Sequence, residues 1–186
     1  VAAPTAGSSG VIPGVFVALQ EEYGFTDDQM VRALFNAGAI GYLITRNATV
    51  AGAEGGCQAE VGAASAMAAS AAVELMGATP EQCMSAAGTA ITNILGLVCD
   101  PIAGLVEAPC QKRNAMGASN AIVAAQITLA GVGNLLPLAL NVALIFNLNI
   151  HLLPYVSSKF RSFLIQFLQL IIIKLRPFDQ LCQCDS

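Results

Sequence analysis

Cys57, Cys99 and Cys110 are the side chains in this sequence best suited to hold a metal. Forty-one residues separate the first two and ten separate the second pair. None belongs to a CxxC pair, so spacing alone is only a weak sign of a metal centre. Each sits beside residues that break regular structure: Cys57 follows Gly55-Gly56, Cys99 precedes Asp100-Pro101, and Cys110 follows Pro109. A cysteine used as core filler usually lies inside an element, as Cys83 does among small residues on the first turn of an expected helix. On these grounds alone, a shared metal site and three unrelated thiols both stay open.

A second candidate lies at the start of the chain. Thr5-Ala6-Gly7-Ser8-Ser9-Gly10 is a Gly/Ser loop, and Pro13 then reads as an early helical position before a short helix over 15–23 that Gly24 stops. A loop that runs into a helix N-terminus offers backbone N–H groups and the positive dipole end to an anion. It lacks the lysine of a phosphate-binding loop, so a carboxylate suits it better than a nucleotide. An ordinary loop before a helix is the alternative.

Positioning these groups falls to helices. Thr26-Asp27-Asp28-Gln29 has the pattern of a capping box, with Met30, Leu34 and Phe35 following at helical spacing. Gly38 and Gly41 predict either close packing or an early end, and 46–49 reads as a polar loop. From Cys57 to Met76 the chain is almost entirely helix former, rich in alanine, whose small side chain lets neighbouring helices approach closely. Gly77 closes this element. Thr79-Pro80-Glu81-Gln82 then restarts the chain with Thr as N-cap, Pro at the first helical position and Gln at the third, predicting a helix to about Gly96. After Asp100-Pro101 and a short apolar piece over 102–106, Lys112-Arg113-Asn114 opens a last Ala-rich helix to about Ala130. No segment alternates convincingly. The expected fold class is all-α, a compact bundle of Ala/Gly-rich helices.

Composition narrows the function classes. The chain has 186 residues, 55% of them hydrophobic and 11% charged, with a formal net charge of −4. An acidic chain argues against nucleic acid as a partner, since phosphate binding needs a basic footprint. A mean hydropathy of +0.66 is high for a free monomer and points to a membrane protein or a piece of a larger assembly. The N-terminus has no basic region followed by an apolar stretch and cleavage site, which argues against a signal peptide. It begins with Val rather than Met, as a fragment would. Nothing else suggests secretion, so six cysteines fit a reducing compartment better than a disulfide framework.

Three stretches resemble the α-chain or catalytic domain of the bacterial iron–sulfur L-serine dehydratases. They are Ala3-Pro4-Thr5-Ala6-Gly7-Ser8-Ser9-Gly10 with Ile12-Pro13; Gly52-Ala53-Glu54-Gly55-Gly56-Cys57-Gln58-Ala59-Glu60-Val61-Gly62; and the run from Gly96-Leu97-Val98-Cys99-Asp100-Pro101 through Glu107-Ala108-Pro109-Cys110 to Lys112-Arg113-Asn114. The likeness covers about 1–137. It implies a [4Fe-4S] cluster held by Cys57, Cys99 and Cys110, with one iron left open to bind a substrate oxygen rather than to carry electrons. The implied reaction is that of an L-serine ammonia-lyase. L-Serine loses its α-proton and β-hydroxyl as water, and the aminoacrylate product tautomerises and hydrolyses to pyruvate and ammonia. The resemblance also implies a cytoplasmic place in amino-acid metabolism and gluconeogenesis, homo-oligomerisation, and a β-chain or β-domain partner that completes the site.

Candidate roles for other motif residues follow from the same likeness. Lys112 and Arg113 would bind the substrate carboxylate or offset the charge of cluster and thiolates, the alternative being a solvated helix start. Thr5, Ser8, Ser9, Asn47 and Asn114 would bind substrate. No proton base is identified, since the single histidine, His151, lies outside the matching region.

Past Pro137 the character of the sequence changes. All 17 glycines lie at or before Gly133, and no Asp, Glu, Lys or Arg occurs between Arg113 and Lys159. Residues 135–155 are long enough to span a bilayer, but Asn141, Asn147, Asn149, His151 and Pro154 interrupt them. The segment 138–186 is thus expected to be a non-matching apolar tail, of the composition an altered reading frame would produce. No ligand role is carried over to Cys182 or Cys184. A membrane-associated or structural helical protein without catalysis is the rival reading.

Overall fold

A computed structural model describes residues 3–99 and 107–134, and every regular element among them is a helix. The apolar piece over 102–106 and the whole tail from 135, including the candidate span and Cys182 and Cys184, lie outside the described residues. The helices are α1 (Val11–Tyr23), α2 (Asp27–Asn47), α3 (Gly52–Leu75), α4 (Pro80–Thr92) and α5 (Glu107–Leu129). None of them is long and apolar enough to cross a membrane.

The starts and stops follow local chemistry. Thr26 and Thr79 each accept a hydrogen bond from the backbone of the third helical residue, and the Gln29 and Gln82 side chains answer at the cap N–H groups. Both predicted capping boxes are therefore present. Besides α3, which opens at Gly52 rather than Cys57, four boundaries differ from expectation. First, α1 opens four residues early, at Val11, because its first turn is pinned from outside by an asparagine described below. Secondly, Arg46 and Asn47 are the last turn of α2 rather than a loop. The third difference is that α4 ends at Thr92, with 93–96 forming turns. Finally, α5 opens at Glu107, so Pro109 and Cys110 belong to its first turn, where a missing N–H costs nothing.

The bundle is built around α3, which packs against each of the other four helices. Every position over 61–73 is buried. A helix apolar on all sides can only be an interior one, and alanine at most of these positions brings its neighbours close. Gly41 of α2 is one place where this approach is tight, since a Cβ there would lie 2.8 Å from Met67 Sδ and Cε. That contact explains why the glycine does not end the helix. On α5, Gly117 lies against α1 and α3, where a Cβ would fall 2.6 Å from Val61 Cγ1 and 3.1 Å from Val11 Cγ2. Fully buried Ser65 is satisfied across helices. Ser65 Oγ donates to Gly117 O at 2.9 Å, and Asn120 Nδ2 donates to Ser65 Oγ and to Ala90 O at 2.8 and 2.9 Å.

Cys83 is buried on α4, and burial pushes its thiol above the ordinary value. Cys99 is exposed. Brief treatment of the metal-free protein with iodoacetamide near neutral pH should therefore label Cys99 and leave Cys83 intact, as read by peptide mass mapping. Equal labelling would place Cys83 outside the core.

Candidate active site

Three segments distant in sequence, each carrying one of the cysteines, are bolted together beside the N-terminal end of α3. Gly56 is the hinge of this arrangement. At φ 69° and ψ −174° it breaks the helix between Gly55 and Cys57, a conformation that favours glycine. A Cβ on Gly56 would lie 3.1 Å from Leu97 O, 3.3 Å from Val98 Cα and 3.4 Å from Cys99 N. The strand of chain that carries Cys99 thus lies directly on the glycine. It is held there by Gln58, whose backbone N–H donates to Leu97 O and whose Oε1 accepts from Gly96 N, both at 2.8 Å.

Arg113 closes the arrangement from α5. One guanidinium nitrogen donates to Cys57 Sγ and to Val98 O, each at 2.8 Å. Cys57 is buried, and burial pushes its thiol above the ordinary value. Arg113 opposes that shift by hydrogen bond and charge, while the charges of Cys99 and Cys110 add to it. Among the described residues, no three His, Cys, Asp or Glu side chains close on a point as a single metal ion would demand.

Asn114 does for the N-terminal loop what Arg113 does for the cysteines. Its Oδ1 accepts from Gly10 N at 2.8 Å, and its Nδ2 donates to Gly7 O at 2.6 Å and to Cys110 O at 2.7 Å. Between loop and helix opens a cleft of about 530 Å³ lined by Ala6, Gly7, Ser9, Gly10, Cys110, Gln111 and Asn114. Its size falls within the roughly 300–1,000 Å³ usual for small-molecule sites. The positive end of the α1 dipole lies at its edge, beginning at Val11.

The sequence candidates fall into distinct places. Ser9, Cys110 and Asn114 line the cleft. Thr5 and Ser8 lie behind it, with their hydroxyls 3.1 Å apart, and Ser8 is fully buried. Arg113 lies at Cys57, and Lys112 is exposed on α5. Asn47 is exposed at the end of α2, where its Nδ2 donates to Leu43 O; it is not among the residues lining the cleft. Sequence reasoning passed over Gln58, Gln111 and Glu60. Glu60 Oε1 accepts a short hydrogen bond from Thr5 Oγ1. It left a trace in the sequence as the single charged residue over 55–73.

The comparisons with known proteins agree on one family. The sequence profile described as serine dehydratase alpha chain matches residues 1–147. The chain belongs to this family. It is 58% identical over 136 residues to the probable L-serine dehydratase, alpha chain, of Bacillus subtilis (strain 168), covering 73% of this chain and 45% of the relative. It is also 56% identical over 137 residues to the L-serine dehydratase, alpha chain, of Peptoniphilus asaccharolyticus, covering 74% and 47%. To L-serine dehydratase 1 of Escherichia coli (strain K12) it is 45% identical over 131 residues, covering 69% and 29%. The chain thus spans less than half the length of these relatives, and the cleft described above lies within the residues that the family profile matches.

Proposed function

We propose that this chain supplies the metal-binding portion of an L-serine dehydratase, the lyase that converts L-serine to pyruvate and ammonia. The observation that carries the proposal is the single cleft in which the start of α1, Ser9 and Asn114 meet Cys110. An amino acid placed there would set its carboxylate toward the α1 N-terminus, as anions prefer, with its hydroxyl toward the cysteines.

Cys57, Cys99 and Cys110 would hold a [4Fe-4S] cluster. Their chemistry fits one: three thiols from three segments, the Cys99 backbone packed against Gly56 beside Cys57, with a guanidinium on Cys57 to balance their charge. A cubane also separates its thiolate ligands more widely than a single ion does, in keeping with cysteines that do not close on one point. When bound, a cluster with three protein ligands supplies an open iron, a Lewis acid toward a hydroxyl. The protein's own part is to seat the substrate, to hold Cys57 through Arg113, and to keep the N-terminal loop against Cys110 through Asn114.

The alpha-chain name of the relatives supports a partner β-chain, and the missing proton base would come from there. Free cysteines suit the cytoplasm. Anaerobic purification of the full chain should yield brown protein absorbing near ~400 nm with roughly four irons per chain. Cys57→Ser, Cys99→Ser and Cys110→Ser should each lose the iron, whereas Cys83→Ser should keep it. Colourless, iron-free protein after reconstitution would overturn the cluster assignment, and turnover of L-serine by this chain alone would overturn the need for a partner.

A further inference from the structure

We infer that Glu60 is a positioning residue, which holds the N-terminal loop at a fixed offset from the cysteine-bearing helices. Two helices carry a cysteine and, one turn later, a side chain that grips this loop. On α5, Asn114 follows Cys110 by four residues and binds Gly7 O and Gly10 N. On α3, Glu60 follows Cys57 by three residues and accepts the Thr5 hydroxyl, which in turn lies 3.1 Å from buried Ser8 Oγ. The loop is therefore indexed to both cysteines at once, its front by Glu60 and its rear by Asn114.

The fit around Glu60 is close. A Cβ on Gly7 would lie 2.5 Å from its Oε1, and a Cβ on Gly52 would lie 2.6 Å from its Oε2. The carboxylate is wedged between the loop and the first residue of α3, at the two places where the backbone has no side chain. It is not among the residues lining the cleft. Its action on a bound ligand is thus indirect, through Thr5 and the loop. In catalytic terms the inference rests on the serine dehydratase reading, but the geometry of the loop does not.

Two measurements separate these levels. In the full chain without metal, Glu60→Ala should speed hydrogen exchange of the amides over 7–10 by about tenfold or more, while Glu60→Gln, which keeps an acceptor for Thr5, should stay near wild type. Thr5→Val should reproduce the alanine effect, and the double variant should add little to it. Unchanged exchange in Glu60→Ala would overturn the inference whatever the enzyme does. In the cluster-loaded chain assembled with its partner, Glu60→Ala should raise KM for L-serine by about tenfold, with kcat within about threefold and the visible absorption unchanged, and Glu60→Gln should restore KM. A collapse of kcat in both variants at constant KM would make Glu60 a proton-transfer group and overturn the positioning role. An inactive wild-type assembly would instead count against the serine reading and leave the exchange result to decide for Glu60.

Discussion

Replacing Asn114 by Asp should disable this protein more thoroughly than replacing it by Ala. The wild-type amide makes three hydrogen bonds, donating to Gly7 O and Cys110 O and accepting from Gly10 N. Alanine removes all three, at about 1 kcal/mol each, for an expected loss of roughly 2–3 kcal/mol. Aspartate keeps the acceptor but turns the donor into a second, negatively charged oxygen facing two carbonyls. Burying an unpaired charge adds a desolvation penalty that alanine does not incur. Urea unfolding of the metal-free chain should therefore rank wild type above Asn114→Ala and Asn114→Asp lowest. On the serine dehydratase reading proposed above, the same order should hold for L-serine affinity, because the loop that forms one wall of the cleft is released. An aspartate variant as stable as wild type would show that the amide nitrogen carries none of this.

Gly56→Ala should be the second severe change. An L-residue at φ 69° with ψ −174° lies in a region that is essentially glycine's own, at a cost of about 1–3 kcal/mol. The new methyl would also meet backbone atoms of 97–99, the nearest at 3.1 Å. Backbone cannot rotate aside as a flexible side chain can, so overpacking adds about 1–3 kcal/mol. The variant should lose roughly 2–5 kcal/mol of stability in denaturant titration and should bind iron poorly, since Cys99 is pushed away from Cys57. Control substitution at Gly38, where nothing lies within 4 Å of an added Cβ, should be mild or stabilising. If Gly56→Ala matched that control in both stability and iron content, the close approach of the two segments would not matter.

These two positions also show which parts of the molecule could be read in advance. Both capping boxes, the core place of Cys83 and the all-α class were legible, because each depends on residues within a turn or two of one another. The start of α5 was not. Pro109 resembles a break when taken alone, yet it is compatible with a first helical turn, and only the hydrogen bonding of the turn distinguishes the two. Gly56 was visible as a glycine before a cysteine, but its reason is Leu97, 41 residues further on. Glu60 was hidden for the same cause, since its partner Thr5 is 55 residues away. Local propensity carries no information about such pairs. Local breaks singled out the cysteine trio and the Gly/Ser loop, and the resemblance implied their roles, but neither could say that Ser9 would line the cleft while Ser8 is buried.

The alanine-lined interior of α3 has a consequence for the cysteines at its other end. Helix axes stand apart by the thickness of the side chains between them, commonly about 8–10 Å. Here that thickness is set mostly by single methyl groups, since seven of the ten residues over 63–72 are alanine and none lines the cleft. Enlarging Ala68 or Ala69, both fully buried, by two or three carbons would leave every cleft residue chemically unchanged and still push a neighbouring helix away from α3. The spacing of the helices that carry Cys57 and Cys110 is thus recorded in residues that carry no chemistry of their own.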